Sequence, residues 1–133
     1  IEFLTIATTG NSSDFGDLTV ARGNFTGLCS NTRGVFAGGS NPNSNIMDFV
    51  TIASAGNASD FGDMFTGNTV ASVSTSNNLR GVIAGGDLQP SNAFTNTMQY
   101  VTIATTGDSS DFGDMLTVGA YRGMTSDSHG GIE

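Results

Sequence analysis

The chain has no lysine and no tryptophan, and only one cysteine, one histidine and two prolines among its 133 residues. Each shortage excludes something. Four arginines face twelve acidic residues, for a formal net charge of −8. A field of that sign repels phosphate backbones and anionic lipid head groups, so neither nucleic-acid binding nor membrane association is expected. A lone Cys29 allows no intrachain disulfide, which removes the small oxidised scaffolds from consideration. Its expected role is that of a small buried apolar side chain. His129 has no second His or Cys near it in the sequence, so a zinc site is not expected and an end-cap or surface role is. No run approaches the ~18 apolar residues of a membrane helix. No signal peptide is visible, and the chain opens in a strand-like run, "IEFLTIATTG", without Met. N-x-S/T sequons stand at Asn11, Asn24 and Asn57, as a composition rich in Asn, Ser and Thr produces by chance.

What the chain does have is repetition. "SDFGD" occurs at Ser13–Asp17, Ser59–Asp63 and Ser110–Asp114, steps of 46 and 51 residues. Around it, "IEFLTIATTGNSSDFGDLTVARG" from residue 1 matches "MDFVTIASAGNASDFGDMFTG" from Met47 and "MQYVTIATTGDSSDFGDMLTVGAYRG" from Met98. "RGVFAGG" from Arg33 recurs as "RGVIAGG" from Arg80. The unequal steps come from the segments 40–46 and 87–97, rich in Asn, Ser and Pro, which are expected to be loops. A kinase reading of Asp-Phe-Gly fails: no Lys can hold phosphates, no His-Arg-Asp loop exists, and one active site needs no three spaced copies. The triplet is expected to be architectural.

The expected organisation is a single array over 1–133: a half unit (1–21), two whole units (22–67 and 68–118) and the start of another (119–133). No segment sustains a 3.6-residue apolar period, and Thr, Val, Ile and Phe fill the periodic parts, so the class is all-β. Each unit divides into four strand candidates. The first is "FTGLCSNT" or "TVASVSTS", and the second is "RGVFAGG" or "RGVIAGG". The third is "DFVTIAS" or "YVTIATT", apolar enough on both faces to be covered on both. Last comes an Asp-Phe-Gly turn leading into a short outer strand. Gly38–Gly39 and Gly85–Gly86 are expected to bend the backbone or admit a neighbouring strand. Asp14, Asp60 and Asp111 are expected to accept backbone N–H bonds in the turn. Phe15, Phe61 and Phe112 are expected to pack between units. Arg33 and Arg80 are each expected to pair with a repeat Asp. Arg22 and Arg122 match across copies, but the middle copy lacks that Arg, so no strict structural need for it is expected.

The apolar run ending in Gly-Gly at Val35–Gly39 and Val82–Gly86, with Phe49 or Tyr100 and then Phe61 or Phe112 after it, resembles the kelch repeat. The "TIATTGNxxDFGDLT" unit resembles, more closely, repeat proteins of marine bacteriophages, cyanophages above all, which look like kelch-type propeller modules of virion structural or tail-fibre proteins. "SDSHGG" at Ser126–Gly131 is similar to the end of the last repeat in such proteins. The resemblance implies kelch-like β-propeller blades, four short antiparallel strands per repeat of 46–51 residues, and a virion location. A propeller needs about four to eight blades to close. The ring is therefore incomplete in this chain, and a piece of a larger assembly is expected, its ends covered by further copies or other virion proteins.

For chemistry, no nucleophile–base pair, phosphate-cradling loop or cofactor fingerprint occurs, and no copy of the repeat departs from the others as an active site does. No enzyme activity and no cofactor are expected. The repeated acids Asp14 with Asp17, Asp60 with Asp63, and Asp111 with Asp114 are weak candidates for Ca²⁺, since their spacing is not that of an EF-hand loop. The expected function is rigid display and protein–protein contact in a phage tail fibre, appendage or capsid-associated structure. Recognition of a host surface glycan is the alternative, set against the scarcity of flat aromatic platforms.

Overall fold

A computed structural model of the chain describes residues 1–126. His129 and all of "SDSHGG" beyond Ser126 lie outside the described residues. Among the described residues there is no helix, and the strands form four antiparallel sheets, none closed on itself. β1 (Glu2–Phe3) and β2 (Ser13–Asp14) make a two-stranded ribbon from the half unit. The first whole unit is a meander of β3 (Thr26–Cys29), β4 (Arg33–Ala37), β5 (Ile46–Thr51) and β6 (Ser59–Asp63), adjacent in space in chain order.

The second whole unit begins with β7 (Thr69–Val70), β8 (Val73–Ser76) and β9 (Arg80–Ala84). A hairpin of β10 (Asp87–Leu88) and β11 (Ala93–Phe94) then interrupts the meander before β12 (Thr97–Thr102) and β13 (Ser110–Asp114). β8, β9, β12 and β13 repeat the meander, and β7 pairs with β10, and β10 with β11, in a small sheet of their own. Segment 87–97, expected to be a loop, thus carries two short strands. In the first unit the matching pairing shrinks to one bridge, Gly23 with Ser40.

Strand boundaries differ from expectation in three places. β5 and β12 begin earlier and stop at Thr51 and Thr102, so Ile52 and Ile103 lie past the strand ends in turns. "TVASVSTS" is broken between β7 and β8, where Ala71 takes a positive φ of 53°. Asp-Phe-Gly is not a turn before an outer strand. It is the outer strand, carrying a bulge. Met47 pairs with Gly62 and Asp48 with Asp60, so Phe61 has no partner across the ladder. Phe112 is skipped in the same way between Gly113 and Asp111. A bulge puts one extra residue into a strand and re-aims its neighbours.

The core lies between the two four-stranded sheets. Leu28, Val35, Ala37, Met47, Phe61 and Met64 of the first unit form one buried cluster with Ile83, Val101 and Ile103 of the second. Leu28 sits directly over Gly81, where any Cβ would meet its methyl groups. At about 1.5–3 kcal/mol for each buried apolar side chain, this shared cluster ties the units together. β5 is covered on both faces as expected, at Met47 and Asp48, whereas β12 buries the Gln99 and Val101 face and leaves Met98 and Tyr100 half-buried, and β1 is exposed throughout.

Cys29 is exposed at the end of β3, not buried. Its strand alternates, and Thr26 and Leu28 take the covered face. Arg33 and Arg80 do not pair with repeat aspartates. Their guanidiniums lie over the rings of Phe49 and Tyr100, 4.5 and 4.4 Å from the centroids. Those rings meet Phe61 and Phe112 edge to face, at 6.0 and 6.1 Å. The cation–π stack wins because the repeat acids sit at the rim in water, where an ion pair is worth little.

Candidate functional site

Among the described residues one constellation recurs with the same bonds, the junction between successive units, and it is built twice. At the first junction Gly56 N–H donates to the Phe15 carbonyl at 2.7 Å, and Ala58 N–H donates to the Asp17 carbonyl at 2.8 Å. Asp17 N–H donates back to Asn57 Oδ1 at 2.9 Å. At the second, Gly107 N–H donates to Phe61 O at 2.7 Å, Ser109 N–H to Asp63 O at 3.0 Å, and Asp63 N–H to Asp108 Oδ1 at 2.9 Å. β6 is the edge strand of its sheet, and Phe61, skipped by the ladder, and Asp63 two residues on turn their carbonyls to the next unit. The glycines at 16 and 62 are required by the same contact, since a Cβ at either would strike the backbone of Gly56 or Gly107.

The paired glycines reach onward in the chain, from the first whole unit to the second and from the second to the segment that follows it. Gly39 N–H donates to Thr69 O at 3.1 Å, and Gly86 N–H donates to Gly119 O at 2.9 Å. Gly38 and Gly85 have φ of +69° and +61°, and a Cβ on either would run into those same carbonyls. Both expected roles hold: the chain bends there, and a neighbouring backbone passes. Inside each junction sits a polar centre. At the first, Arg22 and Asp48 form an ion pair of 2.7 Å with both side chains fully buried. Arg22 Nε donates to Gly38 O at 2.7 Å, and Thr19 Oγ1 donates to Asp48 Oδ1 at 2.6 Å.

At the second junction the centre is neutral. Gln99 replaces Asp48; its Nε2 donates to Thr66 Oγ1 at 2.7 Å, and its Oε1 accepts from Ser109 Oγ at 2.6 Å. The arginine missing from the middle copy is thus explained by its partner: where the acid becomes an amide, no cation is required. Arg22 itself is structural, which its absence from the middle copy had argued against. The inner strands add a seam of hydroxyls, with Ser74 Oγ donating to Gly27 O at 2.6 Å and Ser76 Oγ to Cys29 O at 2.8 Å.

The candidate Ca²⁺ residues are not drawn together. Asp14, Asp17, Asp60, Asp63, Asp111 and Asp114 are all exposed, on or just after the outer strands of three different units. No group of three or more His, Cys, Asp or Glu that could hold a metal ion occurs among the described residues. Of Asp14, Asp60 and Asp111, Asp111 accepts a local backbone bond, from Gly113 N–H at 3.2 Å.

One cleft of about 480 Å³ opens beside the half unit, lined by Ile1, Leu18, Ala21, Phe25 and Phe36 with Glu2, Asp17 and Arg22 at its polar side. Its counterpart at the second junction is closed. Met47, Met64 and Ile83, the matches of Ile1, Leu18 and Phe36, are covered there by Leu28, Val35 and Ala37 from β3 and β4. Residues 1–21 contain no such inner strands. The cleft is the space those strands occupy in a whole unit. Sequence reading missed the Arg22–Asp48 pair and the Thr69 and Gly119 contacts, because they join positions that only the stacking of units brings close.

Compared with protein-family models and with curated proteins, the chain matches none.

Proposed function

We propose that the chain is a non-enzymatic structural and interaction module: a run of kelch-like propeller blades in a phage virion, giving rigid display and protein–protein contact. Each four-stranded meander is read as one blade, and the half unit as the outer part of another. The observation that carries the rigid role is the junction itself, repeated with the same donors and acceptors at both unit boundaries. Within the segments 40–46 and 87–97, residues 41–43 and 90–94 are exposed and are the surfaces free to vary. Virion placement is supported by the resemblance of the "TIATTGNxxDFGDLT" unit to phage structural repeats. Antibody raised against the chain, gold-labelled and viewed on purified particles by electron microscopy, tests that placement. Label at a fixed position on the particle is expected. Protein found in infected-cell lysate but never on particles would overturn it.

A further inference from the structure

We propose that two copies of this chain bind head to tail: the face formed by Ser110–Asp114 and Arg122 of one molecule docks on the Gly10–Ser12 turn and Glu2 of the other. Both surfaces are halves of the junction already present twice within the chain. Gly10, Asn11 and Ser12 align with Gly56, Asn57 and Ala58 and with Gly107, Asp108 and Ser109, which receive the outer strand of the preceding unit. At the other end, Phe112 and Asp114 occupy the positions of the acceptors Phe15 with Asp17 and Phe61 with Asp63. There is no further turn to meet them among the described residues. A Cβ on Gly113 would find only Met98 Cε, at 4.0 Å, whereas Gly16 and Gly62 are pressed against backbone. Phe112 is accordingly 46% exposed, against 2% for Phe61.

Charge points to the same pairing. Glu2 aligns with Asp48, and Arg122 with Arg22, the two partners of the buried ion pair. Arg122 Nη2 donates to Val118 O at 2.7 Å, and Arg22 Nη1 donates to Val20 O, the carbonyl of the matched valine, at 3.1 Å. Both Glu2 and Arg122 are exposed. The contact is heterologous, so its repetition produces a ring if the rotation closes and a filament if it does not.

This inference names a partner for the proposed contact role and rests on the contact reading, not on the virion reading. Particle labelling and a test of self-association therefore fail separately. Sedimentation equilibrium of the 133-residue chain at physiological salt, across a wide range of concentration, is expected to show reversible association. Arg122→Glu and Glu2→Arg, each alone, are expected to weaken it about tenfold or more, because like charges then meet across the contact. Mixing the two variants restores opposite charges at one of the two heterotypic contacts, between Glu2 and Arg122, and between the substituted pair at the other, and is expected to restore association. A chain monomeric at every concentration, association indifferent to both substitutions, or loss in each that the mixture fails to recover would overturn the proposal.

Discussion

Phe61 and Phe112 are the same residue of the same motif, and their surroundings differ because one has a further unit packed against it. Phe61 is buried in the cluster shared by two units, while Phe112 is half open. Phe61→Ala is therefore expected to cost about 3–5 kcal/mol in urea denaturation, from lost transfer energy and the cavity left behind. Phe112→Ala is expected to cost under about 1 kcal/mol, since much of its surface already meets water. Equal costs would mean that the bulged phenylalanine works within its own sheet and not across the junction. Cys29 supports a second residue-scale expectation. Its exposure at the end of β3 predicts rapid reaction with a thiol reagent in the folded chain, and Cys29→Ser within about 0.5 kcal/mol of the parent by the same denaturation.

At the scale of elements, the two junctions solve one packing problem with different polar centres. Arg22→Met alone leaves the Asp48 carboxylate buried without its cation, which is expected to cost about 3–5 kcal/mol in urea denaturation. Arg22→Met with Asp48→Gln, which copies the amide of the second junction, is expected to recover about 2 kcal/mol of that loss. No recovery would show that Gln cannot bond Thr19 as Gln99 bonds Thr66. The extent to which this arrangement is legible in the sequence depends on what repetition encodes. The all-β class, the four-strand order and the Gly-Gly approach are readable, because "RGVFAGG" and "TIAS" are local patterns copied intact. The bulge at Phe61 is not, since its signal is a register shift between β5 and β6 that no single strand carries. Cys29 and Arg33 are misplaced by sequence reading for a related reason. Which face of β3 is covered, and whether an arginine meets an acid or a ring, depend on strands far away in sequence.

Across the whole molecule, one position samples three degrees of cover. Ile6, Ile52 and Ile103 are equivalent, and their exposure falls from 93% to 47% to 0% along the chain. Ile103 is covered by the inner strands of the unit before it: Arg33 of β4 even donates to the Ile103 carbonyl, at 3.0 Å. The half unit has no predecessor among the described residues, and its ribbon of two short strands is the least supported part of the array. Local opening free energies track buried contacts and backbone bonding, so amide exchange should show the same gradient. In dilute chain, Gly56 and Ala58 at the first junction and Gly107 and Ser109 at the second are expected to exchange slowly, because each donates to the preceding outer strand. Gly10 and Ser12, their equivalents, are expected to exchange quickly. Raising the concentration should slow Gly10 and Ser12 while leaving the internal pairs unchanged, since only the end surfaces gain a partner. Uniform exchange in all three turns would mean that the internal junctions open as freely as the end turn, and the array would then not be the rigid body that the proposed display role requires.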